Sequence, residues 1–185
     1  MKTPRFILPI LCLLSLSAAA SAKEEVLLDF RHVSRDPGPN GKVYRCYEYA
    51  WNDWNRKIID LAGKGALIQA PSGKGNLGES KTMLKLHKTP DIEIHYLIGN
   101  ANKAGGLNFK LIDKDGTEWT WPVPLSGLAR GIEQRLRLDL TKPGNETKPG
   151  TKPGLDLARL STWEFIGDWG AAGVEVLLIK VVGLK

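Results

Sequence analysis

The sequence predicts an all-β chain arranged as a two-sheet antiparallel β-sandwich, and three observations carry that prediction. Between residues 91 and 140 four segments alternate apolar and polar side chains with period two, the repeat of a strand with one covered and one wet face. Asx- and Gly-rich stretches punctuate them. Almost no run holds the three-to-four spacing of an amphipathic helix.

Residues 1–22 are expected to stand apart from the fold. Lys2 and Arg5 precede an apolar run from Phe6 to Leu16, broken only by Pro9 and Ser15, and Ala20-Ser21-Ala22 is a small-x-small cleavage signal. This reads as a secretory signal peptide cut before Lys23. The alternative is an uncleaved anchor, which the shortness of the apolar run disfavours. Residues 23–185 then form the sandwich domain, exported by a bacterial Sec-type route to the periplasm or medium, with no membrane span after cleavage. Cys12 leaves with the leader and Cys46 stays as the single thiol, so an internal disulfide is excluded and Cys46 reads as a small buried side chain.

Within the domain, Val26-Leu27-Leu28-Asp29-Phe30 predicts a first strand, and residues 35–42, RDPGPNGK, a loop. Tyr44, Tyr47, Tyr49, Trp51 and Trp54 crowd the stretch 43–57, where Asn52-Asp53 reads as a turn. Residues 58–61 and 65–69 can each add a short strand. Gly73, Gly75 and Gly78 spell GxGxxG, but a dinucleotide site needs a strand before and a helix after it. Here Pro71 precedes and an expected strand, 82–87, follows, so 71–80 reads as a flexible loop.

The four central segments come next. Ile92, Ile94, Tyr96 and Ile98 share one strand face; so do Leu107, Phe109 and Leu111, Trp119 with Trp121, and Leu136 with Leu138 and Leu140. Asp113-Lys114-Asp115-Gly116 supplies the reversal of an antiparallel pair. Residues 141–154, TKPGNETKPGTKPG, hold three Thr-Lys-Pro-Gly copies without an apolar residue and predict a mobile basic loop that tolerates length change. A helical turn is expected over 155–160, a strand through Trp163 and Phe165, and a final strand from Val174 to Val182 that is apolar on both faces apart from Glu175 and Lys180.

Composition excludes some functions. Without the leader 24 cations face 20 carboxylates, a net +4 spread along the chain, and no basic stripe marks a nucleic-acid partner. His32, His87 and His95 are scattered without metal-ligand spacing, and no GxSxG elbow is present. A carboxylate pair for glycoside chemistry is not legible in the spacing of the acids.

From Ile92 onward, the run IEIHYLI, then LNFKLIDKDG, WTWPVPLSGL, an Asp-Leu-x-x-Leu segment, STWEFIG and VEVLLIKVVGL, resembles the galactose-binding-like jelly roll of many carbohydrate-binding modules. The resemblance covers about the last half of the domain and implies a jelly-roll sandwich that recognises a glycan. Such modules often carry structural calcium held partly by an acid in the last strand. Here Lys180 occupies that stretch, which disfavours calcium, and no cofactor is expected.

Sugars are bound by stacking on aromatic rings and by planar donor groups at their hydroxyls. Two sets of residues meet that description. Trp51 and Trp54, with Asp53 and Arg56, would make a loop-borne platform. Across the polar face of the central sheet, Glu93, His95, Asn108, Lys110, Arg135 and Arg137 would form a groove. Trp119, Trp121, Trp163 and Phe165 read as core, and Trp169 stays open either way. Glu93 with Arg137, or Lys110 with Asp139, can equally be cross-strand ion pairs. Three functions follow: an exported, non-catalytic glycan-binding protein, free or serving a partner enzyme; an envelope sandwich binding another protein; or a small polysaccharide lyase or hydrolase.

Overall fold

The computed structural model describes residues 23–32, 49–52, 58–61 and 63–185. The leader, Cys46 and the predicted site residues Asp53, Trp54 and Arg56 lie outside the described residues. Among the described residues the chain is all-β. The strands are β1 (Glu24–Asp29), β2 (Tyr49–Asn52), β3 (Ile58–Leu61), β4 (Gly65–Ala70), β5 (Gly73–Ser80) and β6 (Asp91–Ile98). They continue as β7 (Gly106–Asp113), β8 (Glu118–Pro124), β9 (Glu133–Asp139), β10 (Asn145–Lys148), β11 (Leu160–Gly170) and β12 (Val174–Leu184).

These strands form two antiparallel sheets. The first has the order β3-β4-β12-β6-β9, with β1 also paired to β12; the second runs β10-β8-β7-β11-β5-β2. β12 is the axis of the first sheet, its early residues on β4 and its later ones on β1, with β6 along its other side. Between the sheets lies one apolar core. Phe30 is fully buried, edge-on to Trp163 and Phe165 at 6.0 and 5.9 Å, and Phe109 packs on Phe165 at 5.2 Å. The buried Trp163 indole donates its N–H to Glu79 at 2.9 Å, so its one polar atom is satisfied. Trp121 and Trp169 are also buried, the second resolving a position the sequence left open.

Five sequence expectations are corrected. The central segments do not make one sheet: β6 and β9 belong to the first, β7 and β8 to the second. The chain crosses between them over residues 99–105, where buried Asn102 donates to the Ala104 carbonyl and accepts from the Glu175 amide. Period-two alternation shows which face is covered, and both sheets satisfy it equally.

Residues 73–80, expected as a loop, are strand β5, paired with β11 from Ser80–Thr162 down to Gly73–Gly170. Its glycines discourage extension locally, but neighbours on both sides and the fully buried Leu77 override that preference. Conversely, 82–87 is not a strand. Leu86 opens a short 3-10 turn, Leu86–Lys88, and is buried in the core. The helical turn expected over 155–160 is a hydrogen-bonded turn instead, closed by Arg159 N–H on the Asp156 carbonyl.

The Thr-Lys-Pro-Gly segment, expected as a loop, is docked in part on the second sheet. Its residues 145–148 form β10 against β8, with Asn145 opposite Thr120 and Glu146 opposite Trp119. Thr151 Oγ1 and the Lys152 amide both donate to Asp115, at 2.5 and 2.6 Å, and Thr141 Oγ1 donates to Asp139. Asp115 belongs to the β7–β8 turn, where Gly116 takes φ +90° and Asp113 accepts from the Asp115 and Thr117 amides, as the Asx-Gly spacing predicted. The strap lacks apolar residues because hydrogen bonds, rather than burial, hold it.

Candidate functional site

The second sheet turns one face to the core and the other outward. Across the outward face runs a groove of about 450 Å³, with Thr147 on β10 at one end and Lys74 and Gly75 on β5 at the other. Between them β8 contributes Glu118 and Thr120, β7 Asn108 and Lys110, and β11 Ile166 to Asp168. Register explains the convergence. Lys110 stands between Thr120 and Glu164, Asn108 between Pro122 and Ile166, and Asp168 opposite Lys74. These alternate with the core residues Leu107, Phe109 and Leu111, so burial of the inner set places the polar set outward.

Lys110 is the centre of the groove floor. Its Nζ lies 3.0 Å from Glu118 and 3.3 Å from Glu164. Burial works to lower its pKa, but the hydrogen bond to Glu118 and the charges of Glu164 and Glu118 outweigh that and hold the ammonium above its ordinary value. Carboxylates, the Asn108 amide, threonine hydroxyls and lysine ammonium groups thus line one trough as hydrogen-bond donors and acceptors. Among the described residues the groove lining holds no aromatic ring. β2 continues the sheet beside β5, with Trp51 in register with Asn76 and Asn52 with the groove residue Gly75.

The structure brings together only part of the predicted site. Asn108 and Lys110 share the groove. Arg135 and Arg137 lie on β9, in the other sheet, and so do Glu93 and His95 on β6. The single groove through all six is therefore corrected: the crossover at 99–105 sends the two halves to opposite outer surfaces. Lys110 and Asp139, offered as a pair, are parted by the same crossing. Trp51 lies in β2, and the rest of the aromatic platform lies outside the described residues.

His95 is a second correction, because its side chain is wholly buried, with a hydrogen bond to Glu133 at Nδ1 and the Glu93 carboxylate beside Nε2. Nδ1 is 2.7 Å from a Glu133 oxygen and Nε2 is 2.8 Å from a Glu93 oxygen. The hydrogen bond from His95 holds the Glu133 carboxyl below its usual value, with the charges of His95 and Arg135 adding to it. Arg137 does not pair with Glu93, although they are register partners; it grips Asp91 and lowers that carboxyl in turn. Lys180 lies 3.0 Å from Glu24, and Asp29 accepts from the Arg31 guanidinium. This outer face of the first sheet is an ion-pair mesh.

Sequence reasoning missed Lys74, Glu118, Thr120, Thr147 and Asp168 in the groove. Glu118 and Thr120 carried a signal, since they alternate with Trp119 and Trp121 just as Asn108 and Lys110 do with their neighbours. Lys74 and Thr147 carried none, because β5 and β10 read as loops.

Two antiparallel sheets with a trough across the outer face of one define a jelly-roll β-sandwich. Solved structures share that fold. A family 11 carbohydrate-binding module from Clostridium thermocellum, in complex with a beta-1,3-1,4-mixed-linked tetrasaccharide, is 15% identical with a TM-score of 0.57, covering 90% of this chain and 98% of that one. The family 11 module of a cellulosomal cellulase of the same organism is 14% identical with a TM-score of 0.56, covering 89% and 96%. An agarase is 11% identical with a TM-score of 0.55; the match covers 88% of this chain and 25% of that enzyme. No family model matches the sequence, and no curated protein matches it either. At these identities the likeness establishes the fold.

Proposed function

We propose that this is an exported, non-catalytic protein that binds a glycan chain along the groove of the second sheet. The observation that carries the reading is the course of the groove: it crosses five adjacent strands, each contributing polar or small residues at a sheet's regular spacing. Such a trough suits a linear polymer with hydroxyls repeating along both edges. The fold supports the reading, since the module sharing it over nearly its whole length was solved with a mixed-linked tetrasaccharide. Trp51, in the strand next to the groove's β5 end, is proposed to supply the stacking surface that the groove floor lacks, with Trp54, Asp53 and Arg56 following it in the chain.

Affinity electrophoresis against mixed-linked β-1,3-1,4-glucan and agarose tests this. Retardation by either polymer is expected, and Asn108→Ala or Trp51→Ala should weaken it about tenfold, a change of ~1.4 kcal/mol. Unretarded migration in both polymers would remove the proposal. Release of reducing ends or unsaturated sugars would instead make the protein an enzyme. Export rests on Lys2, Arg5, the Phe6–Leu16 run and Ala20-Ser21-Ala22. N-terminal sequencing of the mature protein is expected to begin at Lys23; a first residue at Met1 would argue against cleavage.

A further inference from the structure

We propose that the Thr-Lys-Pro-Gly strap is the end wall of the groove and sets how long a glycan the protein prefers. The inference rests on the glycan-binding reading and goes beyond it by giving the repeat a role. β10 adds a strand to the groove-bearing sheet next to β8, and Thr147 on it lines the groove. At a strand spacing of ~4.8 Å, the six strands from β10 to β2 span about 24 Å, of which β10 adds roughly a fifth. A polymer lying across the strands meets the strap last, so only longer chains reach it.

The strap is built to keep that position. A Cβ at Gly144 would lie 2.7 Å from the Thr120 carbonyl oxygen and 2.9 Å from the Trp121 ring. One at Gly150 would run into the Thr117 hydroxyl, 2.9 Å from its backbone nitrogen and 3.0 Å from the Asp115 carbonyl oxygen. Backbone does not yield as a flexible side chain does, so glycine is required where the strap enters and leaves β10. Thr151 then ties the exit to Asp115 at 2.5 Å. A solvated linker would need neither the close packing nor the anchor.

The test is calorimetric titration with mixed-linked β-1,3-1,4-glucan oligosaccharides, from trisaccharide to hexasaccharide, alongside amide hydrogen exchange of residues 145–148. In the wild type those amides should exchange slowly, and the hexasaccharide should bind more tightly than the trisaccharide. Gly150→Ala should release the strap, speed exchange there and lower hexasaccharide affinity about three- to tenfold, the worth of one or two hydrogen bonds, without changing trisaccharide affinity. Thr147→Ala keeps the backbone pairing of β10 with β8 and the Thr151–Asp115 tie, losing only the 3.3 Å hydroxyl bond to the Glu118 carbonyl. With exchange at 145–148 still slow it should reproduce the hexasaccharide loss, so the inference stays testable even if Gly150→Ala folds poorly. If both variants bind every length as the wild type does while Asn108→Ala loses binding, the strap inference fails and the groove reading stands. If the wild type binds none of the oligosaccharides, both fall.

Discussion

Lys110→Met is expected to destabilise the protein by about 2 kcal/mol and to abolish glycan retardation. Removing one partner of a fully buried ion pair costs about 3–5 kcal/mol, because the charge left behind loses its counterion without regaining water. Here Lys110, Glu118 and Glu164 keep side-chain exposures of 16%, 20% and 11%, so partial solvation lowers the expected cost. Methionine keeps the packing of the lysine stem, and the effect therefore isolates the charge. Urea denaturation measures it. In a Glu118→Gln background the cost should shrink, since one of the two carboxylates then no longer needs the cation. The raised Lys110 pKa fixes the sign of the pH dependence: the clamp contributes fully below the ordinary lysine value of 10.5 and loses its contribution as pH rises through the higher folded value. A Lys110→Met protein as stable as the wild type at neutral pH would show that the clamp is incidental.

His95→Leu is the other large expected effect, again about 2 kcal/mol at neutral pH, because the Glu133 carboxylate loses its hydrogen-bonded partner while its 41% exposure limits the cost. The substitution fills the space but leaves Glu93 and Glu133 without the ring that bridges them. Its pH dependence runs opposite to that of Lys110. Glu133 is held below its ordinary 4.5 by His95, so the stability it contributes is complete above that value and is lost as pH falls through the folded one. The gap between wild type and variant should therefore close in acid. Thermal melts at neutral pH and well below 4.5 measure it, and a gap that widened in acid would contradict the ion-pair account. Glycan retardation should be unaffected, because His95 belongs to the sheet that does not carry the groove.

The parts of this molecule that could be read early are those whose own residues carry an apolar repeat. β6, β7, β8 and β9 were legible because alternation marks each inner face, and the Asp113–Gly116 reversal because its residue types suit a tight turn. β5 and β10 were not legible. One is rich in glycine and the other wholly polar and exposed, so neither carries a hydrophobic signal, and both extend only because a neighbouring strand offers its backbone. Half of the candidate groove was hidden for the same reason. His95 was misplaced because a polar residue on an alternating strand reads as solvated, whereas two carboxylates brought from β6 and β9 enclose it.

The sequence by itself determined that the domain is built of strands, which residues of each central strand face inward, and that Trp163 and Phe165 lie in the core. Tertiary structure alone decided which strands are neighbours, and so which polar residues meet. The physical reason is that a side-chain repeat specifies a face locally, while the crossover at 99–105 and the hydrogen-bonded docking of β10 join residues far apart in the chain. Asn108 and Lys110 thereby joined Lys74 and Thr147 instead of Arg135 and Arg137.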